Sequence, residues 1–476
     1  MSTFVGRKEE LKLFRGLLEK TTASLAVVYG RRRVGKSRLI EEFGKNLTMY
    51  SFSGLPPRPN TTITSQLDEF SRQVARQFNV PQKSFADWGD AFAELYLYLK
   101  KGKILLFLDE IQWIGNCDPD FLGKFKNAWD MQLKRNDHLI VILCGSVSTW
   151  INENILSNTG FYGRVSLKIQ LRDMSMKDCN EFWKINNNHT SAHEKLKILS
   201  VTGGIPKYLE EIKTNLSAEE NIKRLCFLES GLLFSDFDYI FSALLQKNSE
   251  QYEHIITALC NNTLEQSEIL EHLHLQNNKS IKDYLDELLI SGFIARDYTW
   301  QLKTENVSKL SKYRLTDNYL RFYLQYIKPN TTKIHNHQFM GRSLTSLPGW
   351  SSIIGLQMEN LVLNNRHDIK ERIGIYADEV IYDNPYFQRK TARMKGCQID
   401  YMIQTKFGTL YLCEIKFSHN IIRTDVIDEV KEKINRLSIP RNFSIKPVLI
   451  HAADVHDDVI DSNFFAKIID LSSLLE

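Results

Sequence analysis

A chain of 476 residues is longer than one hydrophobic core ordinarily serves, so two to four domains are expected. Its 43% hydrophobic and 25% charged residues are those of a soluble globular protein, and no apolar run approaches the roughly 18 residues of a membrane span, which excludes the membrane as a partner. A net charge of +4 leaves nucleic-acid binding to a local basic patch, and seven scattered cysteines without a CxxC argue against a disulfide framework or a structural zinc. The opening MSTFVGRKEE has no signal-peptide core, so a cytoplasmic location is expected.

In chain order, SLAVVY (Ser24 to Tyr29) reads as a short buried strand, followed by GRRRVGKS (Gly30 to Ser37) and an apolar-periodic helix start, RLIEEF. Strand, GxxxxGK[ST], helix is the context in which a phosphate-binding loop works. Gly30, Arg31, Arg32, Arg33, Val34 and Gly35 would wrap their backbone amides around phosphate oxygens, and the helix opening with Lys36, Ser37 and Arg38 would present its positive end to the same charge. Lys36 is expected at the β- and γ-phosphates and Ser37 on Mg2+. The next buried strand, ILLFLDE, ends in Asp109 and Glu110, where parallel sheets gather their ligands. Asp109 is expected to hold Mg2+, and Glu110, leaving the strand on the other face, to polarise the attacking water. A third strand, LIVILCGS, ends in Ser146, which is either a γ-phosphate sensor or a strand-ending turn residue.

These motifs resemble the P-loop ATPases of the AAA-like superclass, in particular the archaeal ATPases related to STAND switch proteins. The resemblance rests on FVGRKEEL, GRRRVGKS, LDEIQW, CGS, FYGR and GGIPKYL, in that order, over about the first 210 residues. It implies ATP or ADP and Mg2+ as ligands. It also implies Val5, Gly6 and Arg7 near the adenine, Gly204 and Pro206 approaching the nucleotide from a helical lid, and Arg164 near the nucleotide of its own or a neighbouring subunit. The alternatives are a capping-turn role for Arg7, a surface ion pair for Arg164 and a turn for Pro206.

The expected organisation is an α/β multidomain protein: a parallel-sheet ATPase core over 1–170, a helical lid over 171–249, and a winged helix over 250–328. A further α/β domain is expected over 345–476. In the winged helix the third helix offers Lys279 and Lys282 but also Asp283, Asp286 and Glu287, which would repel phosphates, so a packing or regulatory wing is favoured over a sequence-reading one. The stripe Tyr319, Phe322, Tyr323 and Tyr326 has helical spacing and is expected in a core. Pro329 onward reads as a linker, and HNH at His335 to His337 as loop.

Further on, CQIDYMIQT turns through KFGT into LYLCEIKFS, which sets Asp400 across a hairpin from Glu414 and Lys416. Two carboxylates suit a hard cation, and an adjacent lysine can orient water and offset charge on phosphorus. Asp, hairpin, Glu-x-Lys resembles the PD-(D/E)xK restriction-endonuclease-like superfamily, which implies that fold for 345–476, with Ile399 where many members have proline. The resemblance implies a Mg2+ site at Asp400 and Glu414, with Glu359 of the preceding helix as a further ligand and Lys416 as a catalytic group. Lys431, Lys433 and Arg436 of the following helix and the RKTARMK stretch (Arg389 to Lys395) are candidate phosphate contacts, a solvated basic face being the alternative. Three functions are compatible with these residues: an ATPase gating a DNA nuclease, a nucleotide-switched DNA-binding or regulatory protein with an inert nuclease fold, and an assembly platform whose output is a homo-oligomer.

Overall fold

The computed structural model describes residues 3–476 apart from 57, 59, 147, 186–188, 245–248, 275–278, 340, 393–394 and 418–419. Of the residues named above, Arg393, Met394 and Ser418 therefore lie outside the described residues, as does the side chain of Lys279. The chain divides into two units, Met1–Met174 and Ser175–Glu476.

The first unit is built on five parallel strands: β1 (Ser24–Tyr29), β2 (Thr48–Ser53), β3 (Ile104–Asp109), β4 (Leu139–Gly145) and β5 (Val165–Gln170), in the order β2-β3-β4-β1-β5. The apolar runs of β1, β3 and β4 are buried on both faces, while the edge strands β2 and β5 have partly exposed, polar patterns, as their positions require. One face is covered by a cluster of rings, with Phe70 edge-on to Trp88 at 5.3 Å and Trp88 edge-on to Phe121 at 5.1 Å. The sheet brings Tyr29 beside Gly145, and Ser53 beside Asp109, at its carboxyl edge. The ends of β1, β3 and β4 thus open on one rim, the place where such sheets bind ligands.

In the second unit the helices Ser249–Ala258, Gln266–His272 and Lys279–Ser291 precede an antiparallel hairpin of β6 (Ile294–Trp300) and β7 (Val307–Leu315); Leu264, between the first two helices, bridges to Tyr313. The following Asn318–Phe322 helix buries Tyr319 and Phe322 completely, as the ring spacing foretold. A second sheet holds β8 (Val380–Gln388), β9 (Cys397–Thr405), β10 (Thr409–Lys416), β11 (Ser444–His451) and β12 (Lys467–Asp470), in the order β12-β11-β10-β9-β8. Strands β8, β9 and β10 form an antiparallel meander, and β10 to β12 run parallel. The Trp350–Asn364 helix precedes the meander, and the Asp425–Arg436 helix makes the crossover from β10 to β11.

One expectation needs correction here. The stretch after Pro329 is not a free linker: Phe339 stacks on Phe227 at 4.2 Å, and Ile334, Leu344 and Leu347 are buried, so the punctuation by Gly, Pro and Asn marks turns within a packed path. The β6–β7 hairpin is packed at its Trp300 end. Trp300 and Leu302 belong to the apolar core that β9 and β10 share with the Asp425–Arg436 helix. Trp300 Nε1 donates to Gln404 Oε1 at 2.5 Å, Gln404 Nε2 donates to the Leu302 carbonyl at 3.1 Å, and Thr299 Oγ1 donates to the Phe387 carbonyl at 3.1 Å. Burying these polar groups is tolerable because each is paired.

Candidate functional site

At the carboxyl rim of the first sheet, the loop from Gly30 to Gly35 closes tightly because of its two glycines. A Cβ on Gly30 would lie 2.3 Å from the Leu171 carbonyl oxygen, and Gly35 has φ 91°, so neither position accepts a side chain without displacement or strain. Lys36 is buried and its ammonium donates to the carbonyls of Gly30 and Arg31, both at 2.9 Å. Burial lowers its pKa, with Cys144, Glu110 and Asp109 opposing that shift.

Ser37 Oγ donates to Asp109 Oδ2 at 3.0 Å. The Asp109 carboxyl is pushed up, first by burial and then by Glu110, with Ser37 holding it back. A hydroxyl and a carboxylate facing each other at this distance are a donor set that fits Mg2+.

Glu110 sits in the left-handed region at φ 46°. Its Oε2 accepts from the Ser146 amide at 3.2 Å and from Ser146 Oγ at 2.8 Å. The same oxygen accepts from Gln112 Nε2, which also reaches Ser146 Oγ at 3.3 Å. Gln112 is 1% exposed, and its Oε1 has no partner among the described residues. Sequence reasoning found Ser146 but missed Gln112, although LDEIQW carries it two residues past Glu110.

The Gly-Arg segment lies against this loop. Arg7, in the left-handed region before the Lys8–Leu18 helix, donates to the Val34 carbonyl at 3.0 Å, to the Arg172 carbonyl at 2.5 Å and to Glu10 at 3.0 Å. Val5 and Gly6 are buried beside it in the chain. Among the loop arginines, Arg31 lies 3.8 Å from Asp173, Arg32 sits over the Trp113 ring at 5.8 Å, Arg33 has φ 68°, and Arg38 pairs with Glu41 at 3.8 Å.

Arg164 is a correction. It grips Asp130 through Nε at 3.0 Å and Nη2 at 2.8 Å, and donates to the Gly160 carbonyl at 2.9 Å. Its neighbour Val165 pairs with Leu25, near the start of β1, whereas the phosphate loop follows the end of β1. Arg164 is therefore at the opposite end of the sheet from its own subunit's loop. The Asp130 carboxyl is held at about 2, chiefly by Arg164. Gly204 and Pro206 belong to the second unit; Gly204 is buried, and Pro206 opens the Pro206–Leu209 helix, whose Tyr208 hydroxyl donates to Asp236 at 2.5 Å.

In the second sheet, β9 and β10 pair with Cys413 opposite Tyr401, which carries Asp400 opposite Glu414 one step further. Asp400 accepts from the Ile415 amide at 3.1 Å. Glu414 is 2% exposed and receives two ammonium groups: Lys416 at 3.3 Å and Lys433 at 2.5 Å. Lys433 is also 3.7 Å from Asp400, and Lys416 pairs with Glu429 at 2.5 Å. Burial, then Glu414, raises the Asp400 pKa. Glu359 is likewise raised, by burial and then by Asp400, while Arg314 and Arg321 oppose the shift.

The structure therefore gathers Asp400, Glu414 and Lys416, with Glu359 near enough to sense Asp400. It does not close the three carboxylates into one compact ligand cluster. Among the described residues, the group of three whose ligand atoms lie within 4.8 Å of one another is His367, Asp368 and Glu371, on the outside of the Arg366–Ile373 helix. The Lys433 ammonium contacts both Asp400 and Glu414. Of the other expected phosphate contacts, Lys431 pairs with Asp428 at 3.6 Å, Arg436 with Glu432 at 2.6 Å, and Arg389 with Glu265. Helical spacing was the signal for Lys433, since Val426, Val430 and Lys433 fall on one face and both valines are buried.

Residues 4–212 match the family model described as an ATPase domain predominantly from Archaea. An uncharacterized protein of Methanocaldococcus jannaschii is 28% identical over 342 residues, 71% of this chain and 71% of the relative. An uncharacterized ATP-binding protein of the same organism is 49% identical over 43 residues, 9% of this chain and 73% of its own length. Among solved structures, a Walker-type ATPase of Pyrococcus abyssi superposes with a TM-score of 0.50 at 17% identity, covering 67% of this chain and 96% of that one. The sheet, the loop and the family match agree: the N-terminal part is a nucleotide-binding ATPase domain of the P-loop type.

Proposed function

We propose that this chain hydrolyses ATP with Mg2+ and uses its nucleotide state to control a metal-dependent DNA nuclease in its C-terminal part. In this reading 1–170 is the ATPase core, 171–249 its lid, 250–328 a winged helix used for packing, and 345–476 a restriction-endonuclease-like domain. Lys36 leaves the loop carbonyls to neutralise β- and γ-phosphate oxygens, and Ser37 and Asp109 hold Mg2+. Glu110, oriented through one oxygen by Ser146 and Gln112, takes the proton of the attacking water. Arg164 serves its own subunit as a structural ion pair with Asp130.

The nuclease half of the reading is carried by one observation: Asp400 and Glu414 face each other across β9 and β10 with the Lys416 ammonium 3.3 Å from Glu414. The order helix, three-strand meander, crossover helix, parallel strand around that pair agrees with the resemblance to the PD-(D/E)xK superfamily. Asp400 and Glu414 would hold a divalent cation, which when bound activates water and offsets phosphate charge. Lys416 orients that water, and Glu429 keeps its ammonium in place.

The test is incubation with supercoiled plasmid and single-stranded DNA, with Mg2+ or Mn2+, with and without ATP, beside Asp400→Ala. Cleavage lost in the variant is the expected result. Cleavage by neither protein would favour the second reading, a nucleotide-switched regulatory or assembly protein with an inert nuclease fold, for which the specific observation is the lysine between the two carboxylates.

A further inference from the structure

We propose that Lys433 is a resident counter-ion of the Asp400–Glu414 pair, which a divalent cation must displace, and that it thereby sets the metal concentration at which the site loads. The inference deepens the nuclease reading above and rests on it.

The geometry is specific. Lys433 Nζ lies 2.5 Å from Glu414 Oε2 and 3.7 Å from Asp400 Oδ1, so one positive charge touches both groups expected to ligate a metal. Lys416, the expected catalytic lysine, approaches the other Glu414 oxygen, Oε1, and divides its charge with Glu429. The two lysines therefore have different posts: Lys416 flanks the pair from β10, while Lys433 bridges it from the crossover helix.

A buried carboxylate, Glu414, and a largely buried one, Asp400, repel one another with Glu359 nearby, and a single ammonium relieves that repulsion. A divalent cation would relieve it better and would compete for the same oxygens. Lys433 can leave without unfolding its helix: its side chain is 27% exposed, it stands three residues from the last residue of the Asp425–Arg436 helix, and its stem is long and flexible. Val426, Ile427 and Val430 fix the helix itself to the sheet, so the ammonium moves while its base stays.

The test measures Mn2+ binding to the full chain by the loss of the free-ion paramagnetic resonance signal. Wild type, Lys433→Met, Lys433→Gln, Asp400→Asn and the Lys433→Met/Asp400→Asn double variant are compared; the aspartate variants separate this site from Mn2+ held elsewhere. The expected result is that Lys433→Met binds the Asp400-dependent ion about tenfold tighter or more, the scale of one charge-assisted contact. Lys433→Gln, which keeps a polar side chain and loses the charge, does the same and guards against a folding defect in Lys433→Met. Asp400-dependent binding that is equal or weaker in both lysine variants overturns the counter-ion assignment and leaves the metal site standing. Absence of Asp400-dependent Mn2+ in every protein overturns the metal site and this inference together.

Discussion

At the scale of single residues, the phosphate loop leaves little latitude. Lys36→Ala is expected to abolish nucleotide binding, measured with a fluorescent ATP analogue, because its ammonium is held at the loop by the carbonyls of Gly30 and Arg31, in place for phosphate oxygens. Glu110→Gln is expected to bind ATP normally and to hydrolyse it about 10²–10⁴-fold more slowly, the usual contribution of a general base. Wild-type turnover in that variant would remove Glu110 from its role. Gln112→Leu tests the residue that the sequence concealed. Losing a hydrogen bond to a charged group costs about 1.5–3 kcal/mol, so kcat is expected to fall roughly ten- to hundredfold with KM nearly unchanged in steady-state phosphate release. Lys36, Ser37, Asp109 and Glu110 were legible because phosphate chemistry demands those residue types next to glycines and strand ends. Gln112 was not, because its importance comes from a contact with Ser146, 34 residues away. The choice among the three readings of Arg164 was hidden for a related reason: a motif gives an arginine's position in the chain, whereas the register of β5 on β1 decides which end of its own sheet it reaches.

At the scale of elements, the hairpin β6–β7 is the instructive case. Three helices and two strands were readable from their periods, yet the hairpin's partner was not. Its buried polar residues, Asp297 and Thr299, look solvent-facing in sequence. Asp297 is held by Arg314 through two bonds, at 2.7 and 3.3 Å, and Arg314 Nη1 donates to Asn360 of the Trp350–Asn364 helix at 2.5 Å. Removing the arginine leaves a buried carboxylate unpaired. Arg314→Ala is therefore expected to destabilise the second unit by about 3–5 kcal/mol in urea unfolding. Trp300→Ala is expected to cost a similar amount, about 3–5 kcal/mol, from the cavity it leaves and the unpaired Gln404. Full stability in both variants would mean that the hairpin does not hold the second sheet. The Asp400–Glu414 pairing, by contrast, was readable, since a hairpin with a short turn fixes register by counting from KFGT.

At the scale of the whole molecule, the expected lid, three-helix segment and C-terminal domain lie within one unit, Ser175–Glu476. The sequence signals for separate domains were turns, and turns do not reveal that Lys195 reaches the Leu475 carbonyl at 3.0 Å or that Met176 is bound by Asn365 at 2.8 Å. Such long-range contacts leave no local pattern. They also give the second unit a continuous path from its first helix to the carboxylate site: Asn365 follows the Trp350–Asn364 helix, which carries Glu359.

Whether one chain couples ATP hydrolysis to DNA cleavage is decided by the rate of Mg2+-dependent plasmid nicking as ATP is titrated into wild type, Lys36→Ala and Asp400→Ala. Wild type is expected to nick at an ATP-dependent rate, Lys36→Ala at a rate indifferent to ATP, and Asp400→Ala not at all. Nicking that survives Asp400→Ala, or that answers to ATP equally in Lys36→Ala, would rule out a nucleotide-gated nuclease in this chain.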